Sequence, residues 1–94
     1  MGGPPMVPLT AHWTVDLTFQ EEIDHTAAVA VLRTPSGHEL RGHGESRRNP
    51  ADRPVPRIGE EVAGARALSQ LAHQLLEYAA VEIEKNVRGG DPRV

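Results

Sequence analysis

Five arginines between residues 41 and 57 have the type and spacing best suited to binding chemistry in this 94-residue chain. Four of them fall in the segment RRNPADRPVPRIGEE, residues 47–61. A guanidinium group is planar and always charged, and it can hold a phosphate or a carboxylate through paired N–H donors. The candidate contacts to a phosphate or to a partner are therefore Arg41, Arg47, Arg48, Arg53 and Arg57.

Prolines in the same segment favour a purely structural role. Proline fixes its own φ and disfavours helix at the residue before it, so Arg53 and Val55 are expected to be extended. An Asn-Pro pair favours the start of a turn. The residues predicted to form this rigid connector are Asn49, Pro50, Pro54 and Pro56. Nearby acids can pair with the arginines, so a connector and a contact surface remain alternative interpretations.

Histidines raise the question of a metal site. His38 and His43 fall in one predicted strand at odd spacing, which places them on opposite faces. No His-x-x-x-His pair or carboxylate at ligand spacing accompanies them, and the chain contains no cysteine. No serine lies in a nucleophile motif, and no glycine-rich phosphate loop precedes the predicted helix. We therefore predict a non-enzymatic protein with no catalytic residue, no metal and no cofactor.

Net charge and hydropathy narrow the class of protein further. A net charge of −3 argues against a simple nucleic-acid binder. The N-terminal sequence MGGPPMVPLTA has neither a basic nor an apolar signal region. No apolar run approaches the ~20 residues that span a bilayer. We expect a cytoplasmic protein that does not contact a membrane.

Hydrophobic periodicity predicts three strands that would carry these side chains. Residues 12–19 alternate apolar and polar, residues 26–33 are apolar in both phases, and residues 38–46 alternate again. The connections are short, so the strands should run antiparallel. Gly42 and Gly44 share one face of the third strand, where they would let another backbone come very close. We expect the helix to lie over them.

Residues 59–86 carry a helical pattern with one apolar stripe. The stripe consists of Ala65, Leu68, Ala72, Leu75, Leu76, Ala79 and Ile83. The predicted fold class is α+β, a three-stranded antiparallel β-meander packed on one long C-terminal helix. We expect a disordered tail over residues 1–11, one domain over 12–88 and a flexible tail over 89–94.

Two features predict a homodimer. The helix would be longer than the strands it covers, so part of it should overhang the sheet. The middle strand is apolar on both faces, and Val29 and Val31 lie on the face away from the helix. These two valines are the candidate dimer patch.

The stretches HWTVDL and NPADRPVPRIGEEVAGARALSQLA resemble a small actinobacterial family of unknown function, over residues 12–85. That family is classed with the double-stranded-RNA-binding domain fold, so the resemblance implies a β-β-β-α unit without the N-terminal helix of that fold. It also implies links to stress, hypoxia and dormancy responses for some members. A structural likeness to ribosome hibernation-promoting factors is implied as well.

Three functional hypotheses follow. The first is a homodimeric stress or dormancy factor that associates with the ribosome or another RNA–protein surface. The second is a homodimeric protein-interaction module with no nucleic-acid contact, and the third is an enzyme or small-molecule binder, which no motif supports. The first requires the five arginines to form one exposed patch, whereas pairing with neighbouring acids would favour the second.

Overall fold

A computed structural model describes residue 3 and residues 9–89, with side chains as far as residue 87. The elements are β1 (Val15–Glu21), β2 (His25–Arg33), β3 (Glu39–Arg47) and α1 (Pro56–Gly89). The strands form one antiparallel sheet in the order β1-β2-β3. The predicted α+β fold, a β-meander followed by one long helix, is therefore confirmed. The predicted tails over 1–11 and 89–94 lie largely outside the described residues.

Short turns of the expected kind join the strands. Between β1 and β2, the Glu22 N–H donates to the carbonyl of His25 at 2.7 Å. Between β2 and β3, the Thr34 N–H donates to the carbonyl of His38 at 2.8 Å, and Gly37 adopts a φ of 94°. A positive φ is open to glycine at little cost, which explains its place in the TPSG turn.

The hydrophobic core lies between β2, β3 and the first half of α1. Its fully buried members are small or medium in size: Ala28, Ala30, Leu32, Ala63, Ala67 and Leu71. Small side chains suit a close approach of helix to sheet, and Gly42 and Gly44 of β3 lie directly against the α1 backbone. The predicted position of the helix over these two glycines is confirmed.

The helix begins and ends beyond the predicted bounds of 59–86. It begins at Pro56, because proline lacks an N–H that the first turn would leave unpaired and has a φ suited to helix. Its 34 residues span about 51 Å, whereas the nine residues of β3 span about 30 Å. Residues 80–87 are all exposed, so the C-terminal part of α1 projects past the sheet.

The buried face of α1 is rotated from the stripe that the sequence indicates. Ala63, Gly64, Ala67 and Leu71 are buried against the sheet. Most of the predicted stripe lies further round the helix: Leu68, Leu76 and Ile83 are 43%, 69% and 64% exposed. The glycines of β3 explain the difference, since the backbones can approach most closely where α1 presents alanine.

Candidate functional site

Ion pairs occupy two of the five candidate arginines. The Arg41 Nε donates to Oε2 of Glu39 at 2.7 Å, and Glu39 also binds Arg33 at 3.2 Å. Arg57 lies one helical turn from Glu61, with Nε 3.9 Å from Oε2. Both pairs are exposed and so contribute little to stability. They nevertheless bring carboxylates close to two guanidinium groups that a phosphate would otherwise contact.

Arg48 organises the connector itself. Its Nη1 donates to the backbone carbonyls of Asn49, Pro50 and Asp52, at 3.3, 3.4 and 2.6 Å. The Asn49 side chain accepts from the Ala51 N–H at 3.0 Å, which closes a turn around Pro50. Arg48 therefore holds its own loop together through Nη1, while its Nε is buried without a hydrogen-bond partner among the described residues.

The four connector residues divide between the loop and the helix. Asn49 and Pro50 lie in the turn, and Pro54 lies in an extended segment. Pro56 is the first residue of α1 rather than part of the loop.

Arg47 and Arg53 differ from the other candidates. Within residues 9–89, neither side chain forms an ion pair or a hydrogen bond with another residue. Both line an open cavity of about 630 Å³ between the β1–β2 turn, the connector and the start of α1. Acidic side chains line the same cavity, among them Glu22, Asp24 and Asp52. The charge of Arg47 also helps to lower the pKa of Glu45, so the two arginines lie among mixed charges and do not form one basic patch.

A histidine–carboxylate cluster lies beside this cavity. The His25 Nε2 is 2.8 Å from Oε1 of Glu45, and its Nδ1 is 3.4 Å from Oε1 of Glu22. The hydrogen bond to Glu45 raises the pKa of His25, although partial burial opposes the rise. The same bond lowers the pKa of Glu45. This cluster joins the end of β3 to the β1–β2 turn.

Two carboxyl groups meet at the other side of the same turn. A side-chain hydrogen bond with Glu60 raises the pKa of Glu21, and desolvation and charge repulsion act in the same direction. This contact links the end of β1 to the second turn of α1. Glu21 is exposed and Glu60 is half-buried, so the pair lies at the surface and not in an enclosed site.

A third polar contact ties the β2–β3 turn to the helix. The Tyr78 hydroxyl and Nδ1 of His38 form a hydrogen bond at 2.7 Å, and the two rings lie 5.0 Å apart. Thr34 and Ser36 extend this network through the turn. Among the described residues, no group of three His, Asp or Glu side chains could hold a metal ion. In the same part of the chain, no helix is long and apolar enough to cross a bilayer.

Exposed apolar side chains on β1 and on α1 are a further feature that arginine chemistry does not explain. Because α1 packs on β3 and β2 and barely on β1, the inner face of β1 lies beside the helix rather than beneath it. Trp13, Val15 and Phe19 are 45%, 41% and 36% exposed there. The exposed helical stripe described above lies on the outer side of α1, where Ala72 and Leu76 line a shallow hollow with His43 of β3. We use the name β1–α1 face for the exposed and half-buried apolar side chains of these two elements taken together: Trp13, Val15, Phe19, Ala65, Leu68, Ala72, Leu76, Ala79 and Ile83.

Val29 and Val31 lie on the opposite, open face of the sheet, where they are half-buried. Val29 lies between Thr18 and His43 across the sheet. Val31 lies in the same way between Asp16 and Arg41. Polar neighbours on both sides make this patch one strand wide.

The chain is similar to several mycobacterial proteins. "Uncharacterized protein Mb1767" of Mycobacterium bovis is 48% identical over 73 residues, which is 78% of this chain and 77% of that protein. "Uncharacterized protein Rv2632c" of Mycobacterium tuberculosis is 43% identical over 70 residues, 74% of each chain. The crystal structure of Rv2632c matches with a TM-score of 0.78 at 37% identity, over 86% of this chain and 95% of that one. The family model described as Rv2632c-like matches residues 11–91, and the chain therefore belongs to the Rv2632c-like family.

Proposed function

We propose that this protein is a non-enzymatic, homodimeric interaction module of the cytoplasm whose β1–α1 face buries against protein. The observation that carries the proposal is the exposure of that face. Leu68, Leu76 and Ile83 are 43–69% exposed on one side of a helix that already has a buried side. Contiguous apolar surface of this kind marks interaction sites more often than free surface.

The surroundings of the arginines favour an interaction module that does not contact nucleic acid. Arg41 and Arg57 lie against carboxylates, and Arg48 donates to its own loop. A protein that neutralises several phosphates needs several free cations directed to one surface. Among the described residues, only Arg47 and Arg53 of the five have no hydrogen bond or ion pair, and acidic side chains line the cavity that they share.

Light scattering at micromolar concentration tests the proposal. The expected mass is twice that of the 10.2 kDa chain. Leu76→Glu places a charge within the β1–α1 face and should shift the protein toward monomer. Gln74→Glu adds the same charge at an exposed position off that face and should leave the dimer intact. A wild-type protein that is monomeric in this range would overturn the proposal.

Association with the ribosome or another RNA–protein surface, as a stress or dormancy factor, is a second candidate function. Arg47 and Arg53 favour this candidate, because neither side chain has a hydrogen bond or an ion pair among the described residues and both line one cavity. Co-sedimentation with ribosomes at low and moderate salt tests it, with Arg47→Ala/Arg53→Ala as the variant. Arg41→Ala is the control, since Arg41 is already paired with Glu39. Phosphate contacts predict binding that falls steeply with salt and with the double variant only. No sedimentation at low salt would remove this candidate.

A further inference from the structure

We infer that the outer edge of β1 is a docking site for an extended segment of another protein, which pairs with β1 as a fourth strand and places a lysine or an arginine opposite Glu21. This site goes beyond the proposed homodimer, because it uses the backbone edge of β1 and takes a partner of different chemistry. Three features of the sheet support it: the free backbone groups of β1, the closed edge of β3, and a carboxyl pair that no cation accompanies.

The hydrogen-bond register of the sheet leaves one row of β1 backbone groups free. In an antiparallel pair, residues that exchange hydrogen bonds alternate with residues whose N–H and C=O point away from the neighbouring strand. The Glu22 N–H donates to the His25 carbonyl, so the even-numbered residues of β1 are the ones bonded to β2. The alternate residues direct their N–H and C=O groups to the outer edge: Val15, Leu17, Phe19 and Glu21. Within residues 9–89, no hydrogen bond occupies these groups.

The other edge of the sheet is closed by the helix. By the same rule, the odd-numbered residues of β3 point outward. The Gln70 side chain accepts from the His43 N–H, and Nη1 of Arg66 donates to the Glu45 carbonyl at 2.7 Å. These helical side chains occupy groups that a further strand would need. Because α1 packs on β3 and β2 and barely on β1, the edge of β1 has no such cover.

β1 also lacks the features that normally block an edge strand. Lysine, proline or a bulge on an edge discourages pairing with a further strand. Residues 13–21 contain no lysine and no proline, and the register with β2 runs without interruption along the whole of β1. On the helix side of the strand, Val15 and Phe19 are partly exposed. Alternate side chains of an added strand would cover them, as in other complexes that extend a sheet.

The carboxyl groups at the end of β1 determine the chemistry of the partner. A side-chain hydrogen bond joins Glu21 to Glu60. Among the described residues, no cation lies within ion-pair distance of either. A residue opposite Glu21 on an added strand would have its Cβ about 5 Å from that of Glu21, so a lysine or an arginine there would pair with the carboxyls. A second copy of β1 cannot supply this cation, because residues 1–32 contain no lysine or arginine.

A synthetic peptide and amide hydrogen exchange test the site. The peptide acetyl-Lys-Thr-Val-Thr-Val-Thr-Val-amide is as long as β1 and, in antiparallel register, places its lysine opposite Glu21. In the free protein, the amides of Leu17 and Phe19 should exchange fast, whereas those of Thr18 and Gln20 are bonded to β2 and should exchange slowly. The peptide should slow the exchange of Leu17 and Phe19. Slow exchange of these two amides in the free protein would overturn the inference, since a second copy would then already occupy the edge.

Modified peptides show whether the contact is a strand pairing. In the expected register the peptide's valines donate their N–H groups to β1, and its threonines direct theirs to solvent. N-methylation of the valines should abolish binding in fluorescence polarisation, and N-methylation of the threonines should preserve it. Glutamate in place of the lysine should raise the Kd about tenfold or more, because it adds a like charge beside two carboxyls. Equal losses from the two methylated peptides would overturn the fourth strand.

Variants of the protein test the charge and keep the outcome separate from the homodimer. Glu21→Lys should reverse the preference, so that the glutamate peptide binds better than the lysine peptide. Asp16→Lys makes the same change of charge on the other face of β1 and should retain the preference for lysine. Val15→Pro removes one outward N–H and no bond to β2, so it should weaken both peptides in a protein that stays folded. A wild type that binds neither peptide, or a folded Glu21→Lys protein without the reversal, would overturn the inference. The mass measured by light scattering in the absence of peptide would still decide the homodimer.

Discussion

Gly42 of β3 lies directly beneath Leu71 of α1, so that a Cβ atom added at Gly42 would be 2.8 Å from the Cβ of Leu71. The backbone carbonyl of Ala67 lies closer still. Gly44 lies in the same way beneath the preceding turn of α1, where an added Cβ would be 2.9 Å from the backbone carbonyl carbon of Arg66. Neither contact can be relieved by a side-chain rotation, because the atoms met are backbone atoms or a Cβ. The helix is therefore held at a distance that only glycine permits.

Substituting either glycine should destabilise the fold severely. Gly42→Ala and Gly44→Ala each force α1 away from the sheet, which should lower the free energy of unfolding by about 3 kcal/mol or more. Urea denaturation measures the loss. Gly64→Ala is the matched control, because its Cβ would lie 3.3 Å from the half-exposed ring of Phe19. Alanine is also favoured over glycine in a helix by about 1 kcal/mol. A Gly44→Ala protein as stable as Gly64→Ala would contradict the close packing.

The sequence predicts this glycine contact but not the rotation of the helix. Alternation in residues 38–46 places Gly42 and Gly44 on one face, and only a close backbone explains two glycines there. The helix carries more apolar residues than its sheet can cover, and alanine and leucine occur on both of its apolar sides. The hydrophobic periodicity indicates the side of α1 with larger apolar residues, Leu68, Leu76 and Ile83. The side that packs on the glycines of β3 instead carries small residues, Ala63 and Ala67. The partners of Arg41, Arg48 and Arg57 all lie within four residues along the chain, so the sequence suggests local pairing, but the cavity that Arg47 and Arg53 share with the β1–β2 turn depends on tertiary contacts.

The His25–Glu45 pair should make stability depend on pH. The pKa of His25 is raised from 6.5, so its contribution is fully present below about pH 6.5 and is lost as the pH rises through the raised pKa. The pKa of Glu45 is lowered from 4.5, so its contribution is lost as the pH falls below that range. Glu45→Gln should flatten the decline above pH 6.5, measured by urea denaturation from pH 5 to 8.5.

Proton titration of His25 by NMR checks the same pair directly. The His25 resonance should titrate above 6.5 in the wild type and at lower pH in Glu45→Gln. Glu39→Gln removes an acid from the same strand that contacts arginines instead, and it should leave the His25 titration unchanged. Identical His25 titrations in the wild type and in Glu45→Gln would exclude the proposed coupling.

Removing the Tyr78 hydroxyl should loosen the junction between the β2–β3 turn and α1. Tyr78→Phe keeps the ring beside His38 but loses the hydrogen bond to its Nδ1. We expect a loss of about 1 kcal/mol in the free energy of unfolding. Hydrogen exchange should rise in the helix from residue 78 onward more than at its start. His73→Phe alters an exposed position one turn earlier and serves as the control. Unchanged exchange in Tyr78→Phe would argue that the hydroxyl contributes nothing.

Glu21→Gln should stabilise the protein at neutral pH. The contact with Glu60 raises the pKa of Glu21, so the folded state holds the proton more tightly than the unfolded state does. The contribution to stability is therefore present below about pH 4.5 and is lost as the pH rises through the raised pKa. Once Glu21 has lost its proton, its charge lies close to Glu60, and this repulsion disfavours the folded state. A glutamine at position 21 removes one charge and can donate an amide N–H to Glu60. Thermal denaturation should show a higher Tm for Glu21→Gln at pH 7, and the gain should shrink toward pH 4.

Asp16→Asn removes one charge from the other face of β1, and it controls for the change in net charge. An equal gain in Asp16→Asn would mean that net charge, and not the Glu21–Glu60 contact, sets the effect.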